Sequence, residues 1–435
     1  MQVSVEKTSE LNRKMTVSIP HTVFEAKIET RLKTLAKEVK IDGFRPGKAP
    51  SHVVKRLYGE RVLGEVTGDL IQTTYFEALQ QQELVPAGQP HIHPSEVETG
   101  FEYIAEFEVY PEIALDGITQ LTVTRPLAEV TEADVDNMIL KLRQQKKTWQ
   151  SVERASEAGD QITINFTGVA EGENFTNGKA ENFKVEIGAS QMIPGFEDQL
   201  LGLAAGGVKT FSLAFPENYN NQQLAGKTAE FEVEVLSVEA PILPEVDAEF
   251  IKAYGVEEAD INSFRADVRN NMERELVQGL KSRLKNSVLD TLYDSVSVTL
   301  PNVLVDQELQ NVLKPYAERA KQLKLKLEDL QLPVEAFENQ ARRRVALGLI
   351  LGEIIRKNEI TIDAGKVRSV IEDMAKSYEK PEDVVNWYYA DKERLNDVQQ
   401  MVLEDQAVDW IVGQSNIGEV TLSFSEVMEK QQIEA

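Results

Sequence analysis

The spacing of apolar residues changes several times along the chain, and each spacing predicts a different kind of element. Residues 1–20 alternate apolar and polar positions, which is the period of β-strands. The apolar residues then recur every three or four positions, which predicts a helix whose N-terminus is capped by Thr22 and Glu25. A second long helix follows, and residues 101–109 alternate again as a strand. This order predicts an α+β domain over residues 1–115.

The middle of the chain has the pattern of a small antiparallel β domain. Residues 116–149 are interpreted as a linker that contains one helix, capped near Thr131. Over residues 150–245, short apolar runs are separated by Gly, Pro or Asn, which predicts strands joined by turns. One brief helix is expected after Pro194.

From residue 246 to residue 435 the pattern is almost wholly helical. Between Val268 and Val296 an apolar residue falls at nearly every fourth position, and a step of four advances about 40° around a helix. Because this apolar stripe winds, the helix must change its packing partners along its length. Residues 302–323 and 334–357 are predicted to form a pair of helices. The predicted fold class is α+β multidomain.

Composition excludes several classes of site and compartment. The chain of 435 residues contains no cysteine, so it has no disulfide, thiol nucleophile or cysteine-based metal site. The N-terminus lacks the pattern of a signal peptide, and the longest apolar stretch, residues 345–355, is too short to span a bilayer. We therefore expect a cytoplasmic protein that does not engage a membrane.

The charge distribution is uneven. The net charge of −25 argues against a general nucleic-acid binder. Between Arg31 and Arg61, however, nine Lys or Arg face three Asp or Glu, which gives a local net charge of +6. This basic patch indicates either docking on a polyanion or a solvated helix face, and charge alone leaves both interpretations open.

A loop between the two predicted N-terminal helices is the first candidate for function. It consists of Gly43, Phe44, Arg45, Pro46, Gly47 and Lys48. An aromatic side chain at a loop tip needs a covering surface, and Arg45 could pair with a carboxylate or a phosphate. The alternative is an ordinary turn in which Phe44 folds back onto its own helices.

The second candidate is the set of aromatic and apolar residues in the β domain. It lies in four stretches, which are Ile164–Gly168, Asn174–Phe175, Phe183–Val185 and Met192–Glu197. From the residues alone these aromatics could equally be the core of a small β domain.

Together with the loop, these motifs resemble the trigger factor family of ribosome-associated chaperones, and the β domain resembles an FKBP-type prolyl isomerase. The resemblance spans essentially the whole chain. It implies that residues 43–48 dock beside the exit tunnel of the large ribosomal subunit. It also implies that helical arms hold nascent and unfolded polypeptides without ATP or any cofactor, and that the protein forms a homodimer off the ribosome. The isomerase pocket implied by the resemblance is lined by Phe166, Phe175, Phe183, Met192, Ile193, Phe196, Tyr219 and Phe231.

Two departures from the family pattern keep alternatives open. Thr176 stands where many FKBP domains have Asp, and Pro46 stands where some trigger factors have a basic residue. The alternatives are a free isomerase that does not dock on ribosomes and an adaptor with an inactive β domain. His91 and His93 could offer two metal ligands, but we interpret them as residues of a surface loop and expect no metal.

Overall fold

A computed structural model describes the chain in nine segments. They are residues 1–39, 44, 50–97, 100–176, 178–219, 221–256, 260–327, 332–376 and 378–429. The chain packs as two compact units. The first contains residues 1–126 and 282–420, and the second contains residues 127–281 and those from 421 onward.

The first unit begins with a four-stranded antiparallel sheet. Its strands are β1 (Gln2–Lys7), β2 (Asn12–Pro20), β3 (His91–Val97) and β4 (Gly100–Glu108), in the order β1-β2-β4-β3. Helices α1 (His21–Glu38) and α2 (Ser51–Gln81) contribute to the core of this sheet. Alternate residues of the two central strands, including Met15 and Tyr103, are fully buried. The predicted α+β arrangement is confirmed.

Two local predictions in this region are wrong. Helix α1 begins at His21, directly after Pro20, and no side chain caps it, so Thr22 and Glu25 do not form a capping box. Strand β2 runs through Pro20, and the chain enters the helix two residues earlier than a cap at Thr22 requires. His91 and His93 lie on β3 and not in a loop. As an edge strand, β3 accommodates Pro94, whose backbone cannot donate a hydrogen bond.

The β domain of the second unit is a six-stranded antiparallel sheet. Its strands are β6 (Thr148–Ser151), β7 (Gln161–Ala170), β8 (Glu173–Asn174), β9 (Ala180–Glu186), β10 (Val208–Ala214) and β11 (Thr228–Ile242). Strand β11 lies between β7 and β10 and also pairs with β6, and β7 pairs with β8 and β9. The predicted short helix is α4 (Phe196–Leu200), which follows Gly195 in the left-handed conformation.

A separate helical core completes the second unit. It is formed by α3 (Glu132–Gln145), α5 (Ala248–Lys252), the first half of α6 (Ile261–Ser295) and α12 (Phe424–Glu429). The predicted cap of α3 is confirmed, because Thr131 and Asp134 form a reciprocal capping box. The segment interpreted as a linker contributes buried side chains to this core at Val135 and Ile139.

The remaining helices form cores of the first unit. They are α7 (Asn302–Leu323), α8 (Val334–Lys357), α9 (Ala364–Ala375), α10 (Pro381–Tyr389) and α11 (Lys392–Gln414). Strand β5 (Thr122–Leu127) pairs with β12 (Asn416–Thr421), so the C-terminal region is helical apart from β12. The bounds of α7 and α8 are those that the sequence predicts.

Helix α6 confirms the prediction drawn from its winding stripe. Residues of its first half, such as Phe264 and Met272, are buried with α3 and α12. Residues of its second half, such as Val288 and Leu292, are buried with α8 and α11. The apolar residues therefore serve two different cores in turn. Among the described residues, no helix combines the length and apolar content needed to cross a membrane.

Candidate active site

An open cavity of about 390 Å³ lies in the β domain. Its walls come from β7, β8 with the turn after it, the loop that leads into α4, the loop after β10, and β11. The residues that line it are Phe166, Phe175, Thr176, Gln191, Met192, Ile193, Pro194, Phe196, Phe215, Pro216, Tyr219 and Phe231. The structure thus brings together seven of the eight residues that the sequence nominated for this pocket.

Phe183 is the nominated residue that does not line the cavity. Its side chain is 44% exposed, and its ring packs edge-on against Phe166 with 5.7 Å between centroids. It lies on β9 beside a shift in the register between β9 and β7. The sequence motif predicts that Phe183 lies near the pocket. It does not reveal this shift in register, on which the orientation of the side chain depends.

The floor of the cavity is a set of packed aromatic rings, most of them in edge-to-face pairs and Phe215–Tyr219 tilted at 49°. The ring of Phe231 lies 5.2 Å from that of Phe196 and 5.7 Å from that of Phe175, measured between centroids. Phe215 lies 5.5 Å from Phe175 and 4.7 Å from Tyr219. Edge-to-face packing fixes the ring planes, so the cavity presents flat apolar walls of defined orientation.

Sequence reasoning missed Phe215 as a member of this floor. The residue is 4% exposed and ends the strand pattern of β10, directly before Pro216. A signal in the sequence that could have identified it is the Phe-Pro pair that begins four residues before Tyr219. The loop after β10 places the rings of Phe215 and Tyr219 in the same cavity.

Phe175 is held against the backbone of β7. A Cβ atom built on Gly168 would lie 2.2 Å from Cζ of the Phe175 ring, so the ring occupies the space of the missing side chain. The Phe175 N–H donates to the carbonyl of Gly168 at 3.1 Å. The neighbouring Thr176 hydroxyl donates to the carbonyl of Gly178 at 2.6 Å and accepts the N–H of Gly168 at 3.3 Å. Thr176, which stands where many FKBP domains have Asp, therefore stabilises this wall by hydrogen bonds to the backbone of Gly168 and Gly178.

A buried carboxylate organises the loop on the opposite wall. Glu197 is only 7% exposed and accepts four backbone N–H groups. Those of Gly188 and Ser190 donate to Oε2 at 2.8 and 2.9 Å, and those of Gln191 and Met192 donate to Oε1 at 2.7 and 3.1 Å. Burial by itself raises the pKa of a carboxyl group, but these four donors outweigh burial and hold the pKa of Glu197 below its usual value.

The chemistry available in the cavity is that of an apolar surface with a few polar groups. No lining residue carries a carboxylate, an amine or an imidazole. Within the segments that the structure describes, no group of three His, Cys, Asp or Glu side chains is arranged to hold a metal ion. The Ile193 N–H has no acceptor in that part of the chain, which leaves it available to a bound peptide. This arrangement suits a reaction that needs no acid, base or metal.

Rotation about an X-Pro bond is such a reaction. Its barrier is roughly 18–20 kcal/mol because the twisted amide loses resonance. Uncatalysed exchange takes tens to hundreds of seconds, which is slow enough to limit folding. An apolar cavity disfavours the planar, water-solvated amide relative to the twisted one, and a fixed donor can hold the peptide in the twisted state.

The candidate docking loop lies mostly outside the described residues. Gly43, Arg45, Pro46, Gly47 and Lys48 are not described, whereas Phe44 is described and its side chain is 39% exposed. On the adjoining helices, Arg31 and Arg61 both pair with Glu65, and Lys33 pairs with Glu29. Part of the basic patch is thus neutralised within the domain.

The helical region of the first unit carries a broad apolar groove. Its volume is about 730 Å³, and it is lined by Met374, Tyr378, Asp383, Val384, Trp387 and Tyr388. Trp387 is 53% exposed, and the guanidinium of Arg394 lies 3.8 Å from the centre of its ring. Tyr378 is 60% exposed. Large aromatic side chains that remain this exposed mark a surface for binding apolar groups.

Comparisons with known proteins agree with this geometry. Residues 1–142 match the family of the bacterial trigger factor protein, and residues 260–413 match the family of the bacterial trigger factor C-terminus. Residues 152–236 match the FKBP-type peptidyl-prolyl cis-trans isomerase family.

Whole-length relatives give the same result. A trigger factor of Stutzerimonas stutzeri is 45% identical over 98% of this chain and 98% of its own length. A trigger factor of Pseudoalteromonas atlantica is 41% identical over 99% of this chain and 100% of its own length.

A solved structure supports the fold. It is that of a trigger factor chaperone described in work on promiscuous substrate recognition in folding and assembly. It matches with a TM-score of 0.52 at 17% identity and covers 95% of this chain and 99% of that one. The chain therefore belongs to the trigger factor family of chaperones, and its β domain is an FKBP-type peptidyl-prolyl cis–trans isomerase.

Proposed function

We propose that the chain works at the ribosome, where it receives polypeptides as they leave the exit tunnel of the large subunit. Residues 1–115 dock, residues 116–149 connect, residues 150–245 isomerise X-Pro bonds, and residues 246–435 hold the client. The protein acts in the cytoplasm without ATP or a cofactor, and it forms a homodimer when it is not docked.

The isomerase step is assigned to the aromatic cavity. A client proline fits between the rings of Phe175, Phe196 and Phe231, whose fixed planes match the flat face of the pyrrolidine ring. The Ile193 N–H is the donor that holds the peptide while the amide twists. The observation that carries this assignment is an aromatic floor with the Ile193 N–H at its edge, a backbone donor for which the described residues offer no acceptor.

Client binding is assigned to the groove around Trp387. The side chains of Trp387 and Tyr378 are exposed in an open groove, so segments of many sequences can pack against them. An extended chain bound in this way makes scattered apolar contacts that are individually weak, which allows it to leave when it folds.

Ribosome docking is assigned to residues 43–48. The exposed side chain of Phe44 favours an intermolecular contact over a turn that folds back on its own helices. In this proposal Phe44 packs against an apolar cleft of the ribosome, and Arg45 and Lys48 pair with its anionic groups.

Co-sedimentation with bacterial ribosomes tests the docking proposal. The native chain is compared with Phe44→Ala/Arg45→Ala and with a control, Val23→Ala/Lys27→Ala, which removes one exposed apolar side chain and one exposed cation from α1. We expect the native chain and the control to pellet with ribosomes and the loop variant to stay in the supernatant. Absence of binding by the native chain would favour the free isomerase. Equal binding by all three would mean that a different surface docks.

A further inference from the structure

The loop that leads into α4 is organised around one buried side chain. Of the six backbone N–H groups from Gly188 to Ile193, four donate to the carboxylate of Glu197. The fifth, that of Ala189, donates to the carbonyl of Glu186 at 3.4 Å. The sixth, that of Ile193, is the one group of this stretch for which the described chain offers no acceptor.

This distribution links a residue outside the cavity to the cavity wall. Glu197 does not line the cavity, whereas Gln191, Met192 and Ile193 do. The two oxygens of Glu197 accept hydrogen bonds from four N–H groups between Gly188 and Met192, so the loop wraps around the carboxylate. In this conformation the side chains of Gln191, Met192 and Ile193 reach the cavity. The preceding residue of α4, Phe196, is fully buried and supplies part of the floor.

The loop needs such an anchor because its backbone is unusual. Ser190 has a φ of +54°, and Gly188 has a φ of +92°, so both adopt the left-handed region. A serine in this region is strained, and it persists only where the surroundings hold it there. Four hydrogen bonds to a charged acceptor, each stronger than a bond between neutral groups, provide that restraint.

We propose that Glu197 is a positioning residue of the isomerase. Its carboxylate holds Gly188–Met192 in the conformation that brings Met192 and Ile193 to the cavity and leaves the Ile193 N–H available to the client peptide. The proposal rests on the assignment of the aromatic cavity as the active site.

The first test is Glu197→Gln in the full chain, with Asp198→Asn as control. Glutamine keeps the shape of the side chain, but its NH2 group would face two of the four N–H donors and cannot accept hydrogen bonds from them. Asp198 is the neighbouring exposed residue of α4, and its substitution removes the same charge. We expect Glu197→Gln to lower kcat on a short X-Pro peptide at least about tenfold, with a smaller change in KM because the aromatic floor remains. Asp198→Asn should behave as the native chain.

Hydrogen exchange of the native protein is the second test, and it does not depend on the folding of a variant. We expect slow exchange at the amides of Gly188, Ser190, Gln191 and Met192. The Ile193 amide should exchange faster and become protected when an X-Pro peptide is added. Fast exchange at all five amides, or equal protection of Ile193 without peptide, would overturn the proposal even if Glu197→Gln unfolds.

The outcomes separate this proposal from the assignment of the active site. If the native chain does not isomerise the peptide, that assignment fails first. If the native chain is active and a folded Glu197→Gln has the same kcat, the aromatic cavity keeps its role and the positioning role of Glu197 is refuted. A folded Glu197→Gln with a raised KM and an unchanged kcat would also refute it, since the Ile193 donor would then not act in the twisted state.

Discussion

Replacing Gly168 with alanine should push one aromatic wall out of the isomerase cavity. The new Cβ would lie 2.2 Å from Cζ of Phe175 and 2.7 and 2.8 Å from its two Cε atoms. Ordinary contact begins at 3.4 Å, so the ring must retreat by more than 1 Å. It cannot retreat along the floor, because the rings of Phe215 and Phe231 already pack against it at 5.5 and 5.7 Å.

The size of the effect follows from the cost of overpacking. Forcing an extra methyl group into a well-packed site costs about 1–3 kcal/mol. If Phe175 moves out of the cavity to avoid the clash, the loss appears in catalysis, where about 1.36 kcal/mol corresponds to a factor of ten. We therefore expect Gly168→Ala to lower kcat/KM on an X-Pro peptide by about tenfold or more and to lower the thermal midpoint of the β domain.

Two further variants show whether the clash is the cause. Gly68→Ala places the same methyl group in α2, where no atom of the described residues outside the local helix backbone lies within 4 Å, and it should leave catalysis unchanged. Adding Phe175→Leu to Gly168→Ala replaces the rigid ring with a side chain that can yield, so the thermal midpoint should recover while kcat/KM stays low. Native catalysis and a native midpoint in Gly168→Ala would refute the reasoning, because they would mean that β7 absorbs the methyl group.

Three predictions concern stability. Burial, and secondarily Tyr103, raises the pKa of Tyr75 to about 12, whereas an unfolded tyrosine titrates near 10. The free energy of unfolding therefore includes a contribution from the protonated Tyr75 hydroxyl that is complete below pH 10 and is lost as the pH rises to about 12. Tyr75→Phe should weaken this alkaline loss in thermal scans and, because the buried hydroxyl has no hydrogen-bond partner among the described residues, stabilise the fold by about 1 kcal/mol at neutral pH. Thr131→Ala should cost about 1 kcal/mol in denaturant unfolding by removing the capping box of α3, and an unchanged midpoint would contradict that role. Glu108 accepts the N–H of Val303 at 2.9 Å, so Glu108→Ala should destabilise the first unit by about 1–3 kcal/mol, whereas Glu106→Ala on the same strand is its exposed control.

Local periodicity was sufficient to predict the long helices. The bounds of α7 and α8 follow from the positions of prolines and apolar residues, and the winding stripe of α6 predicts that its two halves serve different cores. These features depend on neighbours within one or two helical turns, and this is the range over which a single sequence is informative.

Features set by contacts between distant segments were not predictable in this way. Strands β5 and β12 pair although about 290 residues separate them, and neither has a strong strand pattern. His91 and His93 were predicted to lie in a loop, whereas they lie on β3, which is defined by its pairing with β4. Seven of the residues named from the motifs line the cavity, whereas the positions of Phe183 and Phe215 depend on strand register and loop path. The role of Glu197 depends on four N–H groups that converge only in the folded loop.

The two aromatic surfaces of this chain are built differently, as the different roles proposed for them require. In the isomerase cavity, Phe196 and Phe231 are buried beneath the site and packed edge to face. Catalysis requires this rigidity, because a wall that adapts to the planar amide as readily as to the twisted one gains no rate. In the groove around Trp387, the rings of Trp387 and Tyr378 are more than half exposed, and the guanidinium of Arg394 lies over the ring of Trp387. A surface that must hold many unrelated segments benefits from side chains that can adjust. The degree to which each ring is fixed by its neighbours, more than the number of rings, therefore distinguishes the surface proposed for catalysis from the surface proposed for holding clients.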